Sequence, residues 1–199
     1  MVVKNKIRCD WGTSDNLMIE YHDREWGSPV HDDQKHFEFL VLDAFQAGLS
    51  WSTILKKREN FRKAFDDFNF RKIAKYNAKK IESLLQDSGI IRNRLKIEAT
   101  IQNARRFIEV INEFGSFDKF IWGFTGNKTL VNHLKSMKQI PATTKESDLM
   151  SKALNKRGFK FVGSTICYSY MQAAGLVNDH TIQCFRFKEI NNLNDSNKK

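Results

Sequence analysis

Four side chains in this sequence have the right chemistry to share one metal ion: Cys9 and His22 early in the chain, His180 and Cys184 late in it. Neutral imidazole and thiolate are the usual donors to zinc, and four such ligands leave no open position, so a set of this kind is structural and does not activate water. His180 and Cys184 are four residues apart and would share a face if the segment were helical. Cys9 and His22 are the obvious second half, with His31, His36 and His133 as competing imidazoles, and Cys167 reads as core.

A second group lies between Asp43 and Trp51, in the run Asp43-Ala44-Phe45-Gln46-Ala47-Gly48-Leu49-Ser50-Trp51. One helical pattern stops at Gly48 and another starts at Ser50, which can accept from amides of the next turn as an N-cap. A carboxylate, an amide and an indole therefore meet at one tight junction. Tyr21 and Trp26 add aromatic walls beside polar neighbours. Such walls can sandwich a base, and a cationic ring gains further by cation–π attraction.

These groups need elements to position them, and the chain supplies helices. It has only two Pro and few alternating β-branched runs. Phe37, Leu40, Val41, Ala44 and Phe45 predict a helix over 32–47, and Phe39 and Leu42 make it apolar on more than one side. Helices are expected over 50–65, 70–75, 78–86, 92–114 and 117–122. A capping box at Thr143-x-x-Glu146 predicts the next, with Leu149, Met150, Ala153 and Leu154 inward. Ser164 opens a last one, to Ala174. The turn Phe159-Lys160-Phe161-Val162-Gly163 between these two resembles a helix-hairpin-helix, in which backbone amides grip a DNA phosphate. Residues 1–190 read as one all-α body, and the Asn-, Asp- and Lys-rich stretch 191–199 as a disordered tail.

Composition narrows the function classes. With 33 Lys+Arg against 23 Asp+Glu, the formal charge is +10, which favours a polyanion such as nucleic acid. Three Cys exclude an all-paired disulfide framework and point to a reducing, cytoplasmic setting. No signal peptide is read in Met1 to Arg8. The longest uncharged run, 161–178, carries Ser164, Thr165, Ser169 and Gln172 and is too polar for lipid. No membrane partner is expected.

Six motifs in order, Cys9-Asp10-Trp11, Tyr21-His22-Asp23-x-Glu25-Trp26-Gly27, Gln46-Ala47-Gly48-Leu49-Ser50-Trp51, Gly89-Ile90-Ile91-Arg92, Lys156-Arg157-Gly158-Phe159-Lys160-Phe161-Val162-Gly163 and Asn178-Asp179-His180, resemble bacterial 3-methyladenine DNA glycosylase I. The resemblance runs from about Arg8 to Phe185. It implies a two-lobed, all-α helix-hairpin-helix glycosylase fold with one structural zinc on Cys9, His22, His180 and Cys184, joining the N- and C-terminal segments. It implies a monomeric, monofunctional enzyme that flips 3-methyladenine out of double-stranded alkylated DNA and hydrolyses its N-glycosidic bond. Asp43 takes the position of the pocket carboxylate, often Glu, with Tyr21, Trp26, Gln46 and Trp51 around the base. Gly48 and Leu49 would be the wedge in the DNA, and Lys160, Phe161, Val162 and Gly163 the hairpin contact. Met18 stands where an aromatic is expected. The alternative is a non-catalytic DNA-binding protein of the same fold, and a further one a zinc-clasped interaction protein with no nucleic-acid role.

Overall fold

The computed structural model describes residues 6–196. Ten α-helices are found among them: α1 Asn16–Arg24, α2 Asp33–Gln46, α3 Trp51–Ala64, α4 Phe70–Ile73, α5 Ala78–Gln86, α6 Arg94–Phe114, α7 Phe117–Trp122, α8 Lys145–Lys156, α9 Ser164–Ala173 and α10 Phe185–Ser196. None is long and apolar enough to cross a membrane.

The architecture is organised around α2. Every residue from His36 to Phe45 is buried, because Phe37, Phe39, Leu40, Val41, Leu42 and Phe45 are apolar on all sides of the helix. It packs against α3, α6, α7 and α9. Three polar residues are buried in it, His36, Glu38 and Asp43, and the first two have partners. Glu38 accepts from Arg58 Nε at 2.7 Å and from Arg62 and Lys35, and Arg58 also forks onto Glu25 at 2.8 and 2.7 Å. This network pins the end of α1, α2 and α3 together. Burial alone would raise the Glu25 carboxyl, yet the Arg58 fork holds it down at about 2. The third, Asp43, has no such partner and belongs to the site.

Local rules account for most boundaries. Asp15, Asp32, Ser50, Asn77, Asn93, Ser116 and Thr144 each cap the helix that follows by accepting from its first turn. The predicted box at Thr143 and Glu146 is corrected by one residue. Thr144 is the cap, its backbone N–H donating to Ser147 Oγ at 2.8 Å, and the altered phase leaves Leu149 half exposed while Met150 and Leu154 are fully buried.

Other differences from the sequence expectation concern short or polar segments. Helix α1 lay unmarked because Tyr21, His22 and Asp23 interrupt its apolar pattern. Two-residue strands β1 Leu130–Val131 and β2 Val177–Asn178 pair in parallel, Leu130 opposite Val177, and are too short to show alternation. Helix α10 extends to Ser196, into the stretch that composition reads as disordered. Ile190 is fully buried and Asn178 donates to Asn191 Oδ1 at 2.9 Å, which ties the helix to β2. Residues 197–199 lie outside the described part.

Candidate active site and metal centre

The predicted ligands converge. One atom each from Cys9, His22, His180 and Cys184 lies within 4.8 Å of all the others, and all four residues are buried. Cys184 Sγ is 3.4 Å from His22 Nε2 and 3.5 Å from His180 Nδ1, and Cys9 Sγ is 3.6 Å from His180 Nδ1. Ligands of a tetrahedral zinc at about 2.0 to 2.3 Å stand roughly 3.3 to 3.8 Å apart, so the cage has the size for that ion. A turn, not a helical face, presents His180 and Cys184, closed by Cys184 N–H to Thr181 O at 2.8 Å. His31 and His36 instead share Asp118, and His133 lies against Phe187.

The outer nitrogens of both imidazoles are occupied. His22 Nδ1 meets Asp23 Oδ1 at 2.9 Å, and His180 Nε2 meets the Trp26 carbonyl at 3.0 Å. Each ring therefore turns its other nitrogen inward as a lone-pair donor. Arg8 clamps Asp23 with bonds of 2.8 and 2.7 Å, and although burial works against it, that fork and His22 keep the Asp23 carboxyl below its usual range. A hydrogen bond from Cys9, helped by His180 and His22, pushes Cys184 towards the thiolate. Gly12 is required by space: a Cβ there would stand 2.6 Å from the His22 ring.

Beside this cage opens a cavity of about 280 Å3, and Trp26 is common to both. Its walls are Trp11, Tyr21, Trp26 and Trp51, its floor holds Asp43, and Gln46 stands at the edge. Tyr21 and Trp51 rings are 5.2 Å apart between centroids, tilted by 49°. Trp11 packs edge-on to Trp26 at 4.9 Å. Met18, Met137, Ile140, Ser169, Gln172 and Ala173 complete the lining. Met137 opens a short 3-10 turn, Met137–Gln139, that Ile140 ends, and Gln172 comes from α9; nothing in the sequence marked these three residues as pocket lining. Trp11 was noted in the Cys9-Asp10-Trp11 motif without a place in the pocket.

Asp43 is the unusual member. It is 2% exposed, its Oδ2 has no hydrogen-bond partner among the described residues, and desolvation pushes its carboxyl well above the usual range. A free carboxyl in an aromatic box is an energetic cost with no structural return. It suits a ligand that brings donors and positive charge. Trp51 Nε1 is likewise buried and unpartnered.

At the rim, Ala47 and Gly48 are the centre of a type II turn closed by Leu49 N–H to Gln46 O at 2.6 Å. Gly48 has φ +83°, which that position demands, and it leaves Leu49 projecting, 40% exposed. The hairpin between α8 and α9 is bonded to α6. Gly158 at φ +83° and Phe161 at φ +55° turn the chain, and Asn103 holds Lys160 from both sides, accepting its N–H at 2.8 Å and donating to its carbonyl at 3.0 Å. The N–H groups of Phe161, Val162 and Gly163 bond to nothing among the described residues. Val162 is buried, backbone included, and its carbonyl accepts from Ser151 Oγ at 2.7 Å, while Phe161 and Gly163 on either side of it are exposed.

The methyladenine glycosylase family model matches residues 11–187. The chain belongs to the methyladenine glycosylase family. It is 50% identical to DNA-3-methyladenine glycosylase 1 of Escherichia coli (strain K12) over 177 residues, 89% of this chain and 95% of that one. It is 46% identical to DNA-3-methyladenine glycosylase of Haemophilus influenzae, covering 89% and 96%. The structure of 3-methyladenine DNA glycosylase I from Staphylococcus aureus, solved for the basis of 3-methyladenine recognition, superposes with a TM-score of 0.87 at 35% identity, covering 89% and 95%. Within this methyladenine glycosylase, the helical fold and the buried Cys/His tetrad agree with the sequence reading.

Proposed function

We propose that this protein is a DNA-3-methyladenine glycosylase I, excising 3-methyladenine from alkylated DNA. The observation that carries the reading is the aromatic chamber with an unpartnered carboxyl at its floor, in a chain half identical to an enzyme of that name.

The chemistry fits the chamber. Methylation at N3 leaves the adenine cationic, so its N-glycosidic bond is already weak and departure of the base needs no strong acid. The nucleotide is flipped out of the duplex, and its ring enters the chamber, where Tyr21 and Trp51 offer aromatic surface to stack on. The cation restores the anionic form of Asp43, which accepts from the base edge and releases its proton to solvent. Bond electrons pass to the departing ring, neutral 3-methyladenine leaves, and the sugar cation, stabilised by phosphates and by Asp43, is captured by water. No lysine lines the cavity, which supports release of an intact abasic strand without scission.

Leu49 on its Gly48 turn is the wedge that fills the space left in the stack. The free amides of Phe161 to Gly163 take a phosphate, with Lys160 beside them. The tetrad binds one zinc, whose role is to hold the two chain segments and, through Trp26, the pocket wall; it takes no part in the reaction.

Release of 3-methyladenine from methylated duplex DNA by purified protein tests the reading, with Asp43→Asn as the control. Protein that binds duplex and holds zinc but releases no base would instead be a non-catalytic DNA-binding member of the family.

A further inference from the structure

Lys96 is an anomaly in α6. It is 7% exposed, yet no carboxylate lies within ion-pairing distance of it among the described residues. Buried ammonium groups normally require an anion. Its partners are carbonyls: Nζ donates to Phe45 O at 2.8 Å and to Ala47 O at 2.7 Å. Those two oxygens flank Gln46, whose own carbonyl closes the Leu49 turn. The negative end of the α2 dipole lies there too, which favours a cation. Every carbonyl from Phe45 to Ala47 is thereby committed, two of them to one side chain of another helix.

Helix α6 also holds the hairpin. Asn103, seven residues after Lys96 and about 10 Å along the axis at 1.5 Å per residue, grips Lys160, while Gln102 donates to the Gly158 carbonyl. The Lys96 ammonium reaches within 6.0 Å of the Phe161 ring centre. A single straight helix thus sets the separation of the two turns assigned to DNA.

We propose that Lys96 is a positioning residue that holds the Gly48-Leu49 wedge at a fixed height relative to the hairpin. The proposal rests on the wedge reading given above. Without the two bonds the turn keeps its sequence but loses its stiffness, and it recedes when pressed into the base stack. Unstacking is the step that suffers. The pocket, whose aromatic walls are Trp11, Tyr21, Trp26 and Trp51, does not.

Single-turnover excision from a fully paired methylated duplex separates the possibilities, using Lys96→Met, Lys96→Arg, Leu49→Ala and the Lys96→Met/Leu49→Ala double variant. Lys96→Met is expected to slow excision about tenfold or more, and less when the lesion sits opposite a gap, where unstacking is cheap. Its affinity for free 3-methyladenine, read by tryptophan fluorescence, stays at the wild-type value. Lys96→Arg, which keeps both donors, restores most of the rate, and the double variant is no slower than Leu49→Ala. If the Met variant does not fold, Lys96→Gln takes its place. Lys96→Met at the wild-type rate, multiplicative losses in the double variant, or free-base affinity falling in step with rate overturns the role given to Lys96. Leu49→Ala at the wild-type rate overturns the wedge reading, and the role of Lys96 with it.

Discussion

Asp43→Asn is expected to make the folded protein more stable and the enzyme inactive. In the unfolded chain an aspartate titrates near about 3.9, whereas in the fold burial without a partner raises it well above that. The folded state therefore holds the proton more tightly. Stability from this group is fully present below about pH 4 and is lost as the pH climbs towards the folded value, by about 1.4 kcal/mol per unit. An amide is nearly isosteric with the protonated acid and does not titrate. The variant's advantage should be near zero at about pH 4, grow by that slope, and level off once Asp43 ionises in the fold. Each kcal/mol corresponds to about 2–4 °C in melting temperature for a chain of this size. Urea unfolding of both proteins in zinc-containing buffer at about pH 4.5, 6 and 7.5 gives the difference directly. Ligand protonation at low pH affects both proteins alike and cancels. Excision by the variant should fall by about two orders of magnitude or more. An advantage that is flat or negative across pH would refute the argument that Asp43 sits uncompensated in the free protein.

Trp51→Ala removes one aromatic wall of the chamber and should weaken binding of free 3-methyladenine by about 1–3 kcal/mol, measured by calorimetry. Arg58→Met removes the fork shared by Glu38 and Glu25, leaving Arg62 and Lys35 on Glu38 and Lys35 alone on Glu25, and should cost about 1–3 kcal/mol in denaturant unfolding. Removing the metal with a strong chelator should release about one zinc per chain and lower the melting temperature, since the ligands bridge segments distant in sequence. Cys184→Ser should reproduce the chelated state without chelator, and metal content by elemental analysis checks both.

Parts of the site were legible because single residues carry their chemistry openly. Cys and His in this number have few uses, and the Gly48 turn between two helical patterns marks the rim. Other parts depend on what the fold brings together. Lys96 reads in sequence as one more cation on a surface helix, and only the proximity of α2's end makes it a capping group. Met137, Ile140 and Gln172 reach the pocket from segments whose periodicity says nothing about a cavity. The His180–Cys184 spacing would suit one face of a helix, and the structure meets it with a turn, since i, i+4 proximity is not unique to helices. The fold class followed from residues with long-range periodicity, while β1, β2 and α1 were too short or too polar to announce themselves.

The metal cage has a temporal side. Cys9 and His180 are 171 residues apart in the chain. At about 5–20 residues per second of synthesis, roughly 10 to 30 s pass between translation of the first ligand and the third. For that time Cys9 and His22 would wait with half a coordination shell, and Tyr21 and Trp26, on the same segment as His22, would be held only from the N-terminal side, by the Arg58 fork on Glu25 and the contact of Tyr21 with Trp51. The damaged-base chamber is therefore among the last parts of a newborn molecule to take shape, and a ribosome-bound chain stalled before His180 should have its central helices but no ability to hold a base.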